Sequence, residues 1–230
     1  MLRPLIVEQI PEIQEAIKLA AWRQIAESEA HSLSLKAVAR ELGITLPAIY
    51  IYFQDRDSLL TALFFDAYLS FSDHQLAVCE LFPGPEMVLE RCRAIGVAYR
   101  EWALTNPQRY RLIFGPPIPG FSLPMEQIRP VMLRSLSALV GVIGELHVVG
   151  RLNVDYLPLL DAEVIDNFFF GPVCLTPEDE IIYSMAMLIW SRVHGLVSLE
   201  LNGQIPSFGN VGNALFGFEF DTIIRQFVTL

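Results

Sequence analysis

The chain has 230 residues, 53% of them hydrophobic and 18% charged, enough to bury a substantial core and too apolar for a disordered tail or a low-complexity linker. Acidic side chains outnumber basic ones 26 to 16, for a net charge of −10. That balance argues against a polybasic coat for nucleic acid and leaves room only for a small, local DNA-contacting surface. The mean hydropathy of +0.41 raises the question of membrane spanning, which takes roughly 20 consecutive apolar residues. The best stretch, Ile181 to Leu201, contains Arg192, His194 and Glu200, and Met1 to Ala21 carries Glu8, Glu12 and Glu15 without the layout of a signal peptide. A cytoplasmic protein without a membrane partner is the expectation. Its three cysteines, Cys79, Cys92 and Cys174, have no CxxC spacing and read as buried, reduced thiols rather than a disulfide framework or a zinc site.

Helical periodicity runs through the chain. Ile13, Ala16, Ile17, Ala20 and Ala21 recur at helical spacing, placing a first helix over Ile13 to Glu29. Leu35, Val38, Ala39 and Leu42 repeat the pattern in a short segment that Ser34 can cap and Gly43 can end. Thr45 is placed to cap the next helix, Thr45 to Phe53, with Pro47 in its first turn. Gln54 and Asp55 then open a long helix, expected over Arg56–Ser72, with Leu59, Leu60, Leu63, Phe64, Ala67 and Phe71 on its apolar side. Pro83-Gly84-Pro85 is the clearest break. Helices are expected beyond it over Met87–Thr105, Arg109–Phe114 and Met125–Val149, with a proline-rich loop at 115–120. Asn153 to Cys174 is ambiguous and holds the run Phe168-Phe169-Phe170. Thr176-Pro177-Glu178-Asp179 starts a helix that runs to Asn202-Gly203, and a last helix covers Asn213–Val228. No set of alternating strands appears, so the fold class is all-α.

Enzyme chemistry finds no foothold. There is no Gly-x-Ser-x-Gly elbow, P-loop or dinucleotide fingerprint. His31, His74, His147 and His194 lack metal-ligand spacing, and the acids at 178–180 suit a helix N-terminus. No catalytic residue, metal or cofactor is expected. The informative segment is 34–53, two short helices joined by a glycine turn, the layout of a helix-turn-helix.

Ser34-Leu-Lys-Ala-Val-Ala-Arg-Glu-Leu-Gly-Ile-Thr-Leu-Pro-Ala-Ile-Tyr-Ile-Tyr-Phe53, followed by Gln54-Asp-Arg-Asp-Ser-Leu-Leu60, resembles the DNA-binding motif of the tetracycline-repressor (TetR) family of bacterial transcription regulators. The resemblance implies DNA contacts at Thr45, Pro47, Ala48, Tyr50 and Tyr52 of the recognition helix, at Lys36 before it and at Arg56 after it. Leu46 and Ile51 share that surface, where many relatives carry a cation or a polar residue. Hydroxyls and helix-start N–H groups suit phosphate oxygens, and Ala48 suits close approach to the groove floor and a thymine methyl. Residues 1–60 hold six basic and eight acidic side chains, so the head is close to neutral but is not a basic patch.

Tyr99-Arg-Glu-Trp102 through Gly115, and Trp190-Ser-Arg-Val-His-Gly195 through Glu200, are similar to one subgroup of the same family's C-terminal domains, marked by tryptophan and then His-Gly. That resemblance implies a helical domain for effector binding and dimerisation. Domain limits of 1–55 for the DNA-binding head and 56–230 for the larger domain follow. Tyr99, Trp102, Tyr110, Phe114, Phe121, Met125, His147 and Trp190 are the candidate lining of a pocket for a small apolar or aromatic effector. Ile181 to Leu201 is apolar on most of its circumference, so the last two helices are candidates for a homodimer interface through Ile181, Met185, Leu188, His194, Leu199, Phe216, Phe220 and Ile223. The leading expectation is a ligand-responsive repressor that binds an inverted-repeat DNA operator as a homodimer. The rival is an all-α ligand-binding or protein-interaction module that has lost operator binding.

Overall fold

The computed structural model describes residues 4–155, 157–165, 176–205 and 211–229. The run Phe168–Phe170 and Cys174 lie outside them. The helices in chain order are α1 (Pro4–Ser28), α2 (Leu35–Glu41), α3 (Leu46–Ile49), α4 (Arg56–Cys79), α5 (Val88–Thr105), α6 (Pro107–Phe114), α7 (Met125–Val148), α8 (Ala162–Ile165), α9 (Pro177–Leu201) and α10 (Val211–Phe227). Among the described residues the only β pairing is an isolated antiparallel bridge between Leu152 and Val228. The all-α expectation holds.

Most of the expected helix ends fall where local chemistry sets them. The Ser34 hydroxyl accepts from the Ala37 N–H at the start of α2. Gly43 ends the turn after α2 with φ +67°, where an L side chain is strained. The amide of Ile44 donates back to the Ala39 carbonyl at 3.0 Å, satisfying a helix-end acceptor. Asp55 and Ser58 cap each other reciprocally before α4, with Ser58 N–H to Asp55 Oδ1 at 2.7 Å and Asp55 N–H to Ser58 Oγ at 3.1 Å. Thr176 and Asp179 do the same for α9, a full capping box with Pro177 in the first turn.

Three lengths differ from expectation. α1 starts at Pro4 and passes through Pro11, where the periodic pattern had placed a start at Ile13. α4 runs two turns past Ser72, to Cys79. The recognition helix is regular only over Leu46–Ile49, not to Phe53. Beyond it the Tyr52 and Phe53 amides both donate to the Ile49 carbonyl, a tightened turn.

The chain forms two compact units, one of residues 1–69 with 106–130 and one of 70–105 with 131–230. The first therefore contains the helix pair at 34–53 and also α6 and the 115–120 loop. One boundary falls at Pro130 inside α7, where the ring has no N–H to donate to the carbonyl four residues earlier. In the first unit Ile17, Ala20 and Ala21 of α1, Ile49 of α3 and Leu59, Leu60 and Leu63 of α4 have no exposed surface. In the second, Met185 and Val197 of α9 and Ile143 of α7 are equally enclosed.

By length and composition α7 and α9 would each suffice to cross a membrane. α9 instead carries ion pairs within its own unit, Arg192 to Glu219 at 2.5 Å and Glu200 to Arg100 at 2.6 Å.

A candidate DNA-reading head and an apolar cavity

The head is pinned by a few polar contacts around its apolar interior. Ser34 donates its N–H to the Gln24 side-chain oxygen at 2.8 Å, fixing the start of α2 on α1. Arg23 pairs with Glu41 at 2.6 Å, again joining α1 to α2. Lys18 sits between Glu15 and Asp66, at 2.7 Å from the latter, and joins α1 to α4. The guanidinium of Arg109 lies 5.0 Å from the centroid of the Trp22 ring. With the short helices held in this way, Ile49 and Phe53 enter the interior and the rest of the 45–52 segment keeps accessible surface.

None of the residues expected at the DNA surface is buried. Lys36, Thr45, Pro47, Tyr50 and Ile51 are exposed, and Leu46, Ala48, Tyr52 and Arg56 are half-buried. Tyr50 is 49% and Ile51 77% exposed. A shallow groove runs among Ser34, Lys36, Leu46, Tyr50, Asp55 and Arg56. Arg56 has a structural duty that its family position does not reveal. Its guanidinium donates to the carbonyls of Leu33, Ala30 and His31, each at 3.1 Å. It thereby holds the turn before α2 against the first turn of α4.

The second unit encloses a small apolar cavity of about 30 Å³. It is narrow enough that little beyond water enters without side-chain movement. Phe71 and Gln75 of α4, Tyr99 of α5, Ser135 of α7, Trp190 of α9 and Phe220 of α10 are among its walls, and no charged side chain among the described residues is. The Tyr99 hydroxyl and His194 Nδ1 are 2.8 Å apart, and the His194 ring stacks on Trp190 with centroids 4.9 Å apart. Burial holds the His194 imidazole below its ordinary pKa of 6.5. Gln75, itself buried, donates its side-chain N–H to the Ser135 carbonyl at 3.1 Å. At Gly96 a Cβ would come within 2.3 Å of the Phe220 ring, so α10 can lie close to α5 only because that position is glycine.

Of the expected pocket residues the structure brings Tyr99 and Trp190 to this cavity. Trp102 stands behind Phe71, 4.8 Å between centroids, and donates to the Ser70 hydroxyl. Tyr110, Phe114, Phe121 and Met125 belong to the first unit. There Phe114 packs on Tyr110 and Tyr68, Phe121 stacks on Phe64, and Met125 is exposed. His147 is in the last turn of α7 and lines no part of the cavity. Phe71, Gln75 and Ser135 are wall residues that the sequence reading lacked. Their one signal is a glutamine four residues from Phe71 on an otherwise apolar face.

The expected interface residues divide in the same way. Met185, Phe216, Phe220 and Ile223 are buried within the second unit itself, and His194 faces Tyr99. The four buried residues are corrected from interface to interior, while His194 is half-buried: α9 and α10 pack on α5, where Arg100 holds Glu200 and Asn213 together and covers the Phe216 ring. Ile181 and Leu188 are half-buried and Leu199 is exposed. The outward positions missed by the sequence reading are Leu215 and Phe218, the latter 70% exposed.

The helix pair corresponds to a known sequence family. Residues 17–63 match the model for bacterial regulatory proteins of the tetR family, and residues 92–223 match that for the tetracyclin repressor-like C-terminal domain. The chain belongs to the TetR family. HTH-type transcriptional regulators from Mycobacterium tuberculosis and Mycobacterium bovis are each 33% identical to it over 203 residues, which is 84% of this chain and 82% of theirs. The crystal structure of the regulatory protein SCO4313 superposes with a TM-score of 0.75 at 31% identity, covering 95% of this chain and 98% of that one. The TetR family regulator PfmR from Thermus thermophilus shares the fold, with a TM-score of 0.59 at 15% identity over 91% of this chain and 97% of its own. This TetR-family chain is thus a DNA-binding transcription regulator and not an enzyme.

Proposed function

We propose that this TetR-family protein is a cytoplasmic, homodimeric repressor that binds an inverted-repeat operator and is released from it by a small neutral effector. The observation that carries the reading is the helix pair at 34–53, held rigidly by α1 and α4 with Thr45, Pro47, Tyr50 and Ile51 turned outward. Each copy would place this segment in the major groove of one half-site, and two half-sites one helical turn apart require two copies. Outward residues on α9 and α10 support a seam between copies. Leu188, Leu199, Leu215 and Phe218 retain accessible surface, and a Cβ at Gly195 meets nothing within 4 Å. Such a face suits close approach of a second helix pair.

The cavity supports a neutral, largely apolar or aromatic effector, because an ion among these walls would lose its hydration without gaining a charged partner. α4 starts at the Asp55 cap and also supplies Phe71 and Gln75 to the cavity walls. An effector that widens the cavity therefore acts on the helix that begins at the head. Release needs differential binding to the two states, and a coupling of about 1–3 kcal/mol corresponds to tens- to hundreds-fold weaker operator binding. No further cofactor enters this scheme.

The test is selection of bound fragments from randomised duplex DNA at low salt with the purified protein. An inverted repeat is the expected product. Recovery of nothing, with or without cell extract as a source of effector, would instead favour an interaction module that no longer binds an operator.

A further inference from the structure

We infer that the head reads its operator chiefly through the methyl groups of thymine, with Ile51 and Tyr50 as the side chains that touch them. This rests on the proposed function above and specifies what the outward surface recognises.

From Thr45 to Phe53 the chain reads Thr-Leu-Pro-Ala-Ile-Tyr-Ile-Tyr-Phe. It contains no arginine or lysine to grip guanine, no asparagine or glutamine to pair with adenine, and no carboxylate to accept from cytosine. The apolar feature of the major groove is the thymine C5-methyl, and apolar surface is what this segment offers. Ile51 is 77% exposed, Tyr50 beside it is 49% exposed, and Pro47 is exposed one turn earlier. A single exposed apolar side chain is ordinary on a protein surface. Here a β-branched alkyl group, an aromatic ring and a proline stand together on the element that enters the groove, and Ile51 contributes to no buried contact of the core.

The neighbouring cation does not replace the missing ones. Arg56 is directed at the carbonyls of Ala30, His31 and Leu33. Lys36, exposed on α2, and the hydroxyls of Thr45 and Tyr52 are of the type that holds phosphates, which positions the protein without reading sequence. Gln54, exposed just after the segment, is the one amide beside it; along the segment itself base discrimination falls to methyl burial, and the half-site is expected to be rich in A·T pairs with thymine where Ile51 and Tyr50 meet the groove.

The test uses the full-length protein and the operator recovered by selection, with each thymine replaced in turn by uracil. That exchange removes the methyl group and keeps the base-pairing edge. One or two positions in each half-site are expected to lose about fourfold in affinity, the effect of one buried carbon. Ile51→Ala is expected to bind the thymine operator more weakly, to make no distinction between thymine and uracil at the position it faces, and to melt at the parent temperature because Ile51 is outside the core. Equal binding of every uracil-containing operator, or full thymine preference retained by both Ile51→Ala and Tyr50→Ala, overturns the inference while leaving the regulator intact. Selection of no duplex at all removes the proposed function and this inference with it.

Discussion

Arg56 shows how one side chain can look like a contact residue and act as a clamp. Three backbone carbonyls of the turn between α1 and α2 receive its N–H groups. Lysine cannot reproduce that planar fork. Arg56→Ala is expected to lower stability by about 1–3 kcal/mol, on the order of 5 °C in thermal midpoint. Arg56→Lys should recover little of it in the same melting experiment. Operator affinity should fall in both variants in proportion to the loosened head. His194 makes a second residue-scale prediction. Burial keeps its pKa below 6.5, so the unfolded chain takes up the proton first on acidification. Its contribution is complete above about pH 6.5 and is lost as pH falls toward the lower folded value. Melting between pH 7.5 and 5.5 should show this slope, and His194→Gln should flatten it. The motif position of Arg56 was legible in the sequence. Its partners were not, because carbonyls that gather only once the chain has turned leave no pattern in residue type.

At the scale of elements, whatever is local was readable. Ser34, Gly43, Asp55 and Thr176 mark helix ends through bonds that reach only a few residues. The capping box of α9 is therefore a safe place to predict. Thr176→Ala should cost about 1 kcal/mol, seen as a lower midpoint and faster amide exchange in the first turn of α9. The Thr176 backbone amide, followed by its hydroxyl, holds the Asp179 carboxyl below its ordinary pKa of 3.8. Its contribution is present above that value and disappears as pH falls through the lower folded one, so Asp179→Asn should weaken the acid dependence of melting below pH 4. α3 ends early for a reason visible in hindsight. Ile-Tyr-Ile-Tyr-Phe over 49–53 combines β-branched and aromatic residues, which favour helix weakly, and Phe53 is drawn into the interior. The cavity walls were hidden in principle: an apolar row at helical spacing looks the same whether it faces a void or a packed neighbour.

For the molecule as a whole, the sequence identified α9 and α10 as too apolar for a simple surface but could not divide that surface between interior and partner. The fold settles which of their side chains are interior. Phe216, Phe220 and Ile223 face inward, while Leu215 and Phe218 remain outside. If the proposed homodimer seals over this face, Phe218→Glu shifts sedimentation from dimer to monomer at micromolar concentration and weakens operator binding roughly 30-fold or more, the scale of an interface anchor. The monomer should keep its helical signal, because Phe218 belongs to no core.

The shortage of free cations among the described residues of the head also bears on how such a protein finds its target. Arg23 and Lys18 are paired with acids and Arg56 with carbonyls, leaving Lys36 and Arg40 exposed with no ion pair among the described residues. One-dimensional sliding depends on a retained electrostatic hold on random duplex, which this head barely supplies. Arrival by repeated collisions from solution then replaces travel along the chromosome. The association rate to an operator should stay the same when its flanking DNA is lengthened from tens to hundreds of base pairs, whereas a sliding protein would arrive faster on the longer fragment. For the cell this makes occupancy a matter of copy number and residence time at the site, with the genomic neighbourhood of the operator contributing little.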